Sequence, residues 1–331
     1  MELNEEKKKS YNRIDYRLRP AKSIERKMLC DAFRRLINIS DFTDYSYIGF
    51  SSIYFSDFTL IHKSLGICDL LSIEKEIEDK RRFEFNRPYK CIRLKFGKSS
   101  DILPILRLTR KAILWLDYDY PLKGDMLADI NSFVSRAKSG SIILLTMDVT
   151  PYELSIKPKD KSRYDQLLES IGGNKIPPGV TERDLDPQHF PEVCYKVVNN
   201  QIDQVLSIRN GALETKLAYK QLFNFYYKDG SSPMLTVGGI IYSKNDESDI
   251  LKCGFERLDF IRTERKKYKP YEIIVPKLTF REMRCLDKVL PAKESTSTKN
   301  NREITSIPRE LRKQYSKIYR YFPSFVEAEI H

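Results

Sequence analysis

Several runs of apolar residues in this chain end in side chains that could do chemistry. Gly49, Ser51 and Ser52 close the first run, Glu74 the second, and Gly97-Lys98-Ser99-Ser100 the third. The fourth ends in Asp117-Tyr118-Asp119-Tyr120. In an open parallel sheet a ligand sits outside the carboxyl ends of the strands, so polar residues in this order suit a nucleotide-like cofactor. Asp117 and Asp119 are carboxylates at such an end, and His189, beside Pro187 in a breaker-rich stretch, is a general-base candidate.

Positioning these groups requires strands, and the pattern supplies them. Apolar runs at 45–52, 70–73, 91–96, 112–116 and 141–146 alternate with helical stretches, which predicts parallel βαβ units with right-handed crossovers. Helices are expected at 57–65, with Gly66 as its C-cap, at 100–108 and at 125–137. Ahead of them Ile24, Met28, Leu29, Ala32, Phe33 and Leu36 recur at helical spacing, with Pro20 suited to the start. Residues 151–200 hold Pro158, Pro177-Pro178-Gly179 and Asp186-Pro187 and read as an insertion or lid before a helix near 200–209. The runs 221–227 and 234–242, joined across 229–233, make an antiparallel hairpin with a longer turn. Thr279 and Glu282 form a capping-box pattern, 272–276 suits a short strand, and the last helix runs over 308–321. Residues 1–9 and 292–304 read as flexible. The expected organisation is a basic helical extension over 1–40, a sheet domain over 41–245, and a basic extension over 246–331.

With 331 residues the chain can bury a sizeable core, and no apolar run approaches the roughly 18 residues of a membrane span. The acidic, polar start is unlike a signal peptide, and six scattered cysteines match neither a zinc site nor a disulfide framework, so a cytoplasmic setting is expected. The net charge of +12 is uneven: residues 1–40 carry 11 Lys/Arg against 6 Asp/Glu, and residues 257–331 carry 18 against 10. Basic flanks around a neutral centre fit a nucleic-acid or protein partner, and equally fit solvated helix faces.

Five parallel strands followed by a hairpin resemble the class I S-adenosylmethionine (SAM)-dependent methyltransferases from about Asp44 to Tyr242. Three stretches resemble their O-methyltransferase branch: Tyr47-Ile48-Gly49-Phe50-Ser51-Ser52-Ile53-Tyr54, Ile92 through Pro104, and Ile113-Leu114-Trp115-Leu116-Asp117-Tyr118-Asp119. The resemblance implies a Rossmann-like α/β sheet and SAM as cofactor. It implies that Gly49, Ser51 and Ser52 line the methionine part, that Glu74 takes the ribose hydroxyls, and that Gly97, Lys98, Ser99 and Ser100 lie along the adenine. Asp117 would face the sulfonium or a divalent metal, with Asp119 sharing that task. The chain departs from the pattern in having one glycine in the first loop, Lys98 where an acid is common, and no Asn after Asp148. A divalent metal is therefore without support in the sequence.

The expectation is a SAM-dependent methyltransferase acting on an oxygen or nitrogen nucleophile of an unidentified acceptor. The alternative is a degenerate methyltransferase-like domain that binds nucleic acid or protein. Asp-Tyr-Asp-Tyr also echoes the Asp-Pro-Pro-Tyr loop of adenine N6-methyltransferases, without its prolines. Asp117 and Asp119 could equally be turn residues, Asp57 a helix cap, and Trp115 and His62 packing residues.

Overall fold

The computed structural model describes residues 19–152, 161–230, 232–291 and 302–323. The expected flexible stretch at 1–9 and most of 292–304 lie outside the described residues.

Five strands, β1 (Tyr45–Gly49), β2 (Asp69–Glu74), β3 (Ile92–Phe96), β4 (Lys111–Pro121) and β5 (Ser141–Asp148), are followed by β6 (Leu217–Asp229), β7 (Ser232–Ser243) and β8 (Tyr271–Ile273). They form one sheet in the order β3-β2-β1-β4-β5-β7-β6-β8. The first five pair in parallel, β7 runs antiparallel to β5 and β6, and β8 returns parallel to β6. This is the expected α/β Rossmann-like sheet, with five parallel strands and an antiparallel hairpin, extended by one short strand. Chain order reverses at β1, which lies between β2 and β4. That reversal is the switch point where α/β sheets open a ligand crevice.

Side chains alternate between two packed layers, because successive residues of a strand point to opposite faces. From β4, Ile113 and Trp115 join one core, and Ala112, Leu114, Leu116 and Tyr118 join the other. On the first face lie α1 (Pro20–Arg34), α2 (Ser56–Leu65) and α3 (Lys80–Asn86), together with Phe255, Phe260, Ile318 and Tyr321 from the C-terminal part. On the second lie α4 (Ser99–Ile102), α5 (Gly124–Val134), α6 (Arg163–Ile171) and α7 (Phe190–Gly211). The remaining helices are α8 (Glu247–Lys252), α9 (Phe280–Asp287), α10 (Arg302–Thr305) and α11 (Arg309–Ile318).

Four boundaries differ from the sequence reading, each for a local reason. β4 runs on through Asp117-Tyr118-Asp119-Tyr120 because both tyrosines pack toward α5, so these residues are strand and not a loop. The hairpin is tighter than expected: β6 reaches Asp229 and β7 starts at Ser232, with Gly230 in the left-handed region. The helix expected at 100–108 is a single turn at Ser99–Ile102, since Pro104 diverts the chain into a 3-10 turn. The helix placed near 200–209 begins at Phe190, where Pro191 starts it and Val193, Val197, Ile202 and Val205 continue its buried face. The capping box of Thr279 and Glu282 on α9 and the left-handed Gly66 after α2 are as read.

Candidate active site

The switch point gathers most of the expected residues at the carboxyl ends of β1 to β4. Glu74 ends β2 almost fully buried, and its Oε1 accepts from the Ser51 amide (2.7 Å), the Ser51 hydroxyl (2.7 Å) and the Ser72 hydroxyl (2.6 Å). No bond among the described residues engages Oε2. Burial pushes this carboxyl above the usual carboxylate range, and the two serines pull it back. Glu74 is thereby fixed against the loop after β1.

That loop turns without the usual glycines. Gly49 lies inside β1, where a Cβ would stand 2.7 Å from the Trp115 carbonyl, so its task is close strand packing and not the turn. The turn is made by Ser52 (φ 51°) and Phe55 (φ 48°), both left-handed without being glycine. Phe55 is held there by edge contacts with Phe58 and Phe83. Past β3, Gly97 has φ 145° and donates to the Glu74 carbonyl at 2.9 Å. Lys98 is exposed, and Ser99 and Ser100 open α4 half-buried.

Ser99 hydrogen-bonds Asp129 Oδ2 on α5, which also accepts from Tyr118 at 2.6 Å. Asp129 is fully buried with Oδ1 unpartnered, and burial pushes its carboxyl up to about 6. Phe50 meets Tyr118 edge-on at 5.3 Å, joining the loop after β1 to β4.

On the other face of β4, Asp117 meets residues that the sequence reading missed. Lys22 of α1 has its Nζ 2.8 Å from Asp117 Oδ1 and 2.8 Å from Glu25 Oε2, and 4.4 Å from the centre of the Trp115 ring. Lys22 and Glu25 have no exposed surface. Glu25 also accepts from Tyr227 (3.1 Å) and from Thr236, which bonds Thr146, itself a partner of Trp115 Nε1 (3.0 Å). Burial raises the Glu25 carboxyl above its ordinary range, with Lys22 opposing. One turn on, Arg26 pairs with Asp57, so Asp57 is an ion-pair partner and does not cap α2. The signal was available: Lys22, Glu25, Arg26, Leu29 and Phe33 follow the i, i+3, i+4, i+7 rhythm of one helix stripe. Charged residues on a core-facing stripe call for buried partners.

The two remaining candidates stand apart. Asp119 is exposed on β4. His189 is exposed just ahead of α7 with its Nδ1 2.9 Å from Asp186, and no bond among the described residues links it to Asp117 or Glu74. Among the described residues no three His, Cys, Asp or Glu side chains converge as metal ligands, and Asp117 is already paired with Lys22. A cavity of about 320 Å³ opens between α5 and α7, lined by Leu127, Asn131, Gln201, Gln204 and Val205, and includes none of the strand-end residues.

With this geometry in view, comparison with known proteins decides the family. Residues 14–330 match the family described as "Putative O-methyltransferase". The chain belongs to that family. The O-methyltransferase match extends across α1, the whole sheet and the C-terminal helices. Among solved structures this family member is similar to Trm1 from Pyrococcus horikoshii with S-adenosyl-L-methionine, at 10% identity and a TM-score of 0.40, over 69% of this chain and 57% of that one. It is also similar to the O-methyltransferase TomG from Streptomyces achromogenes in complex with SAM, at 13% identity and a TM-score of 0.32, over 63% and 79%. LepI in complex with SAM gives 8% identity and a TM-score of 0.31 over 59% of this chain, which spans 43% of LepI. These likenesses are distant, and membership rests on the match over 14–330. No curated protein matches the chain.

Proposed function

We propose that this chain transfers a methyl group from SAM to an oxygen nucleophile, with a nitrogen nucleophile as the wider class. The observation that carries the reading is Glu74, a buried carboxylate fixed at the switch point by Ser51 and Ser72, with Oε2 left for a ribose diol. Gly97 to Ser100 would hold the adenine, and Gly49 at the end of β1 with Ser51 and Ser52 of the loop that follows would line the methionine part. Bound there, SAM would supply an electrophilic methyl on a sulfonium for in-line displacement. The chain's own work is to orient the acceptor and take its proton.

Asp119, exposed on β4 two residues past Asp117, and His189, paired with Asp186, are the candidate bases. If either takes the acceptor's proton, Asp119→Asn or His189→Ala lowers the methyl-transfer rate by about 100-fold and leaves SAM affinity unchanged. Transfer of labelled methyl to a panel of phenols, alcohols and amines measures this. Unaltered turnover in both variants removes both residues from the mechanism.

The acceptor or a partner is proposed to be anionic, nucleic acid being the chief candidate. Support comes from the segment after Glu74, where Lys75, Lys80, Arg81, Arg82, Arg87 and Lys90 outnumber Glu76, Glu78, Asp79 and Glu84 along a stretch that also exposes Phe85 (88%). Basic residues interleaved with an open aromatic ring suit a single strand. Oligonucleotide binding that is absent at low salt would end this part of the reading. A cytoplasmic setting belongs to the same proposal, supported by six cysteines that stand as free thiols. No described helix is long and apolar enough to cross a membrane.

A further inference from the structure

We infer that Lys22 is a built-in counter-cation for Asp117, filling the point between Asp117 and Glu25 that a divalent metal would otherwise take. Two carboxylate oxygens from different elements, Asp117 Oδ1 on β4 and Glu25 Oε2 on α1, lie 2.8 Å from one nitrogen. That nitrogen has no exposed surface and lies over the Trp115 ring at 4.4 Å. An ammonium in such a place loses its hydration, so it persists only where fixed negative charge and hydrogen-bond acceptors replace water.

Charge balance argues in the same direction. Lys22 and Arg26 pair one to one with Asp117 and Asp57, and Lys22 also faces Glu25, so a cation already meets each of these carboxylates. Adding a divalent ion to this group would build up uncompensated buried charge. Removing the ammonium reverses the balance. Asp117 and Glu25 would then face one point with no cation between them, with the Thr236 and Tyr227 hydroxyl oxygens beside Glu25. Hard oxygen donors of this kind suit calcium-like and lanthanide ions. Lys22 therefore acts through Asp117 as a positioning residue that sets the charge facing the crevice without a divalent ion. The inference rests on the proposed function only for its consequence in turnover, since the charge arrangement stands without SAM.

Trp115 is the chain's single tryptophan, so terbium bound at this point would emit on tryptophan excitation. The native chain should give no Trp115-sensitised emission beyond that of Asp117→Asn, and its SAM affinity should be the same with EDTA or with millimolar magnesium. Lys22→Ala, or Lys22→Met to preserve volume, should gain emission at least 10-fold above the native chain, abolished by adding Asp117→Asn. Asp117-dependent emission from the native chain would overturn the inference. So would a folded Lys22 variant that gains none. Should both variants fail to fold, the native-chain comparison still decides. No cofactor enters the terbium experiment, so its failure is read separately from a failure of SAM binding.

Discussion

Asp129 has no exposed surface, and Ser99 and Tyr118 donate to one of its oxygens only. Its carboxyl is pushed up to about 6 by burial, so as pH falls the folded chain takes up this proton before the unfolded chain does. Its contribution to stability therefore declines as pH rises from the ordinary carboxylate range through about 6, and the penalty persists at neutral pH. Asp129→Asn should stabilise the chain at pH 7.5 by on the order of 1–3 kcal/mol, with the gain vanishing below about pH 4. Urea unfolding at the two pH values measures it, and a less stable variant at pH 7.5 contradicts the assignment. Glu74 was legible in the sequence because an apolar run followed by an acid is a local pattern. Lys22 was not, because its partner Asp117 is brought to it only when β4 packs beneath α1.

At the scale of elements, β7 is shaped by two glycines opposite an irregularity in β6. Between Gln221 and Phe223 the β6 register shifts, and Gly239 and Gly238 pair on either side of the shift. A Cβ at Gly239 would lie 2.2 Å from the Lys220 carbonyl, and one at Gly238 2.2 Å from the Ile143 carbonyl. Gly239→Ala should therefore cost more than about 2 kcal/mol, seen as a lower thermal midpoint with the spectroscopic signature of the fold retained. A midpoint within a degree of the native chain's would show that the bulge relaxes freely. Strand identity and order were legible, since apolar runs and breakers are local. The short α3 was not, because Lys80 to Asn86 buries only Phe83 and shows no periodic face. The loop after β1 was misleading in the same way: its left-handed turns fall on Ser52 and Phe55, and nothing in those residue types announces them.

Across the whole molecule, the first and last described helices share one core with the sheet. Ile24, Met28, Leu29 and Phe33 of α1 are fully buried in the cluster that holds Phe223, Phe255, Phe260 and Tyr321. Arg35 ties the segment after α1 to the Cys253 and Gly254 carbonyls, and Tyr321 donates to Asp31. A chain lacking residues 1–34 should consequently fail to fold, and the full chain should unfold in one transition by circular dichroism and fluorescence alike. A truncated chain with native-like dispersion would show that the sheet stands without α1. The central claim is that the strand-end group around Glu74 binds SAM for methyl transfer, and calorimetry tests it most directly. Titration of SAM into the native chain should give one site, and Glu74→Ala should weaken it by more than about 1 kcal/mol through loss of a charge-assisted hydrogen bond. No heat at millimolar SAM with a folded protein, or equal affinity in Glu74→Ala, would contradict the account.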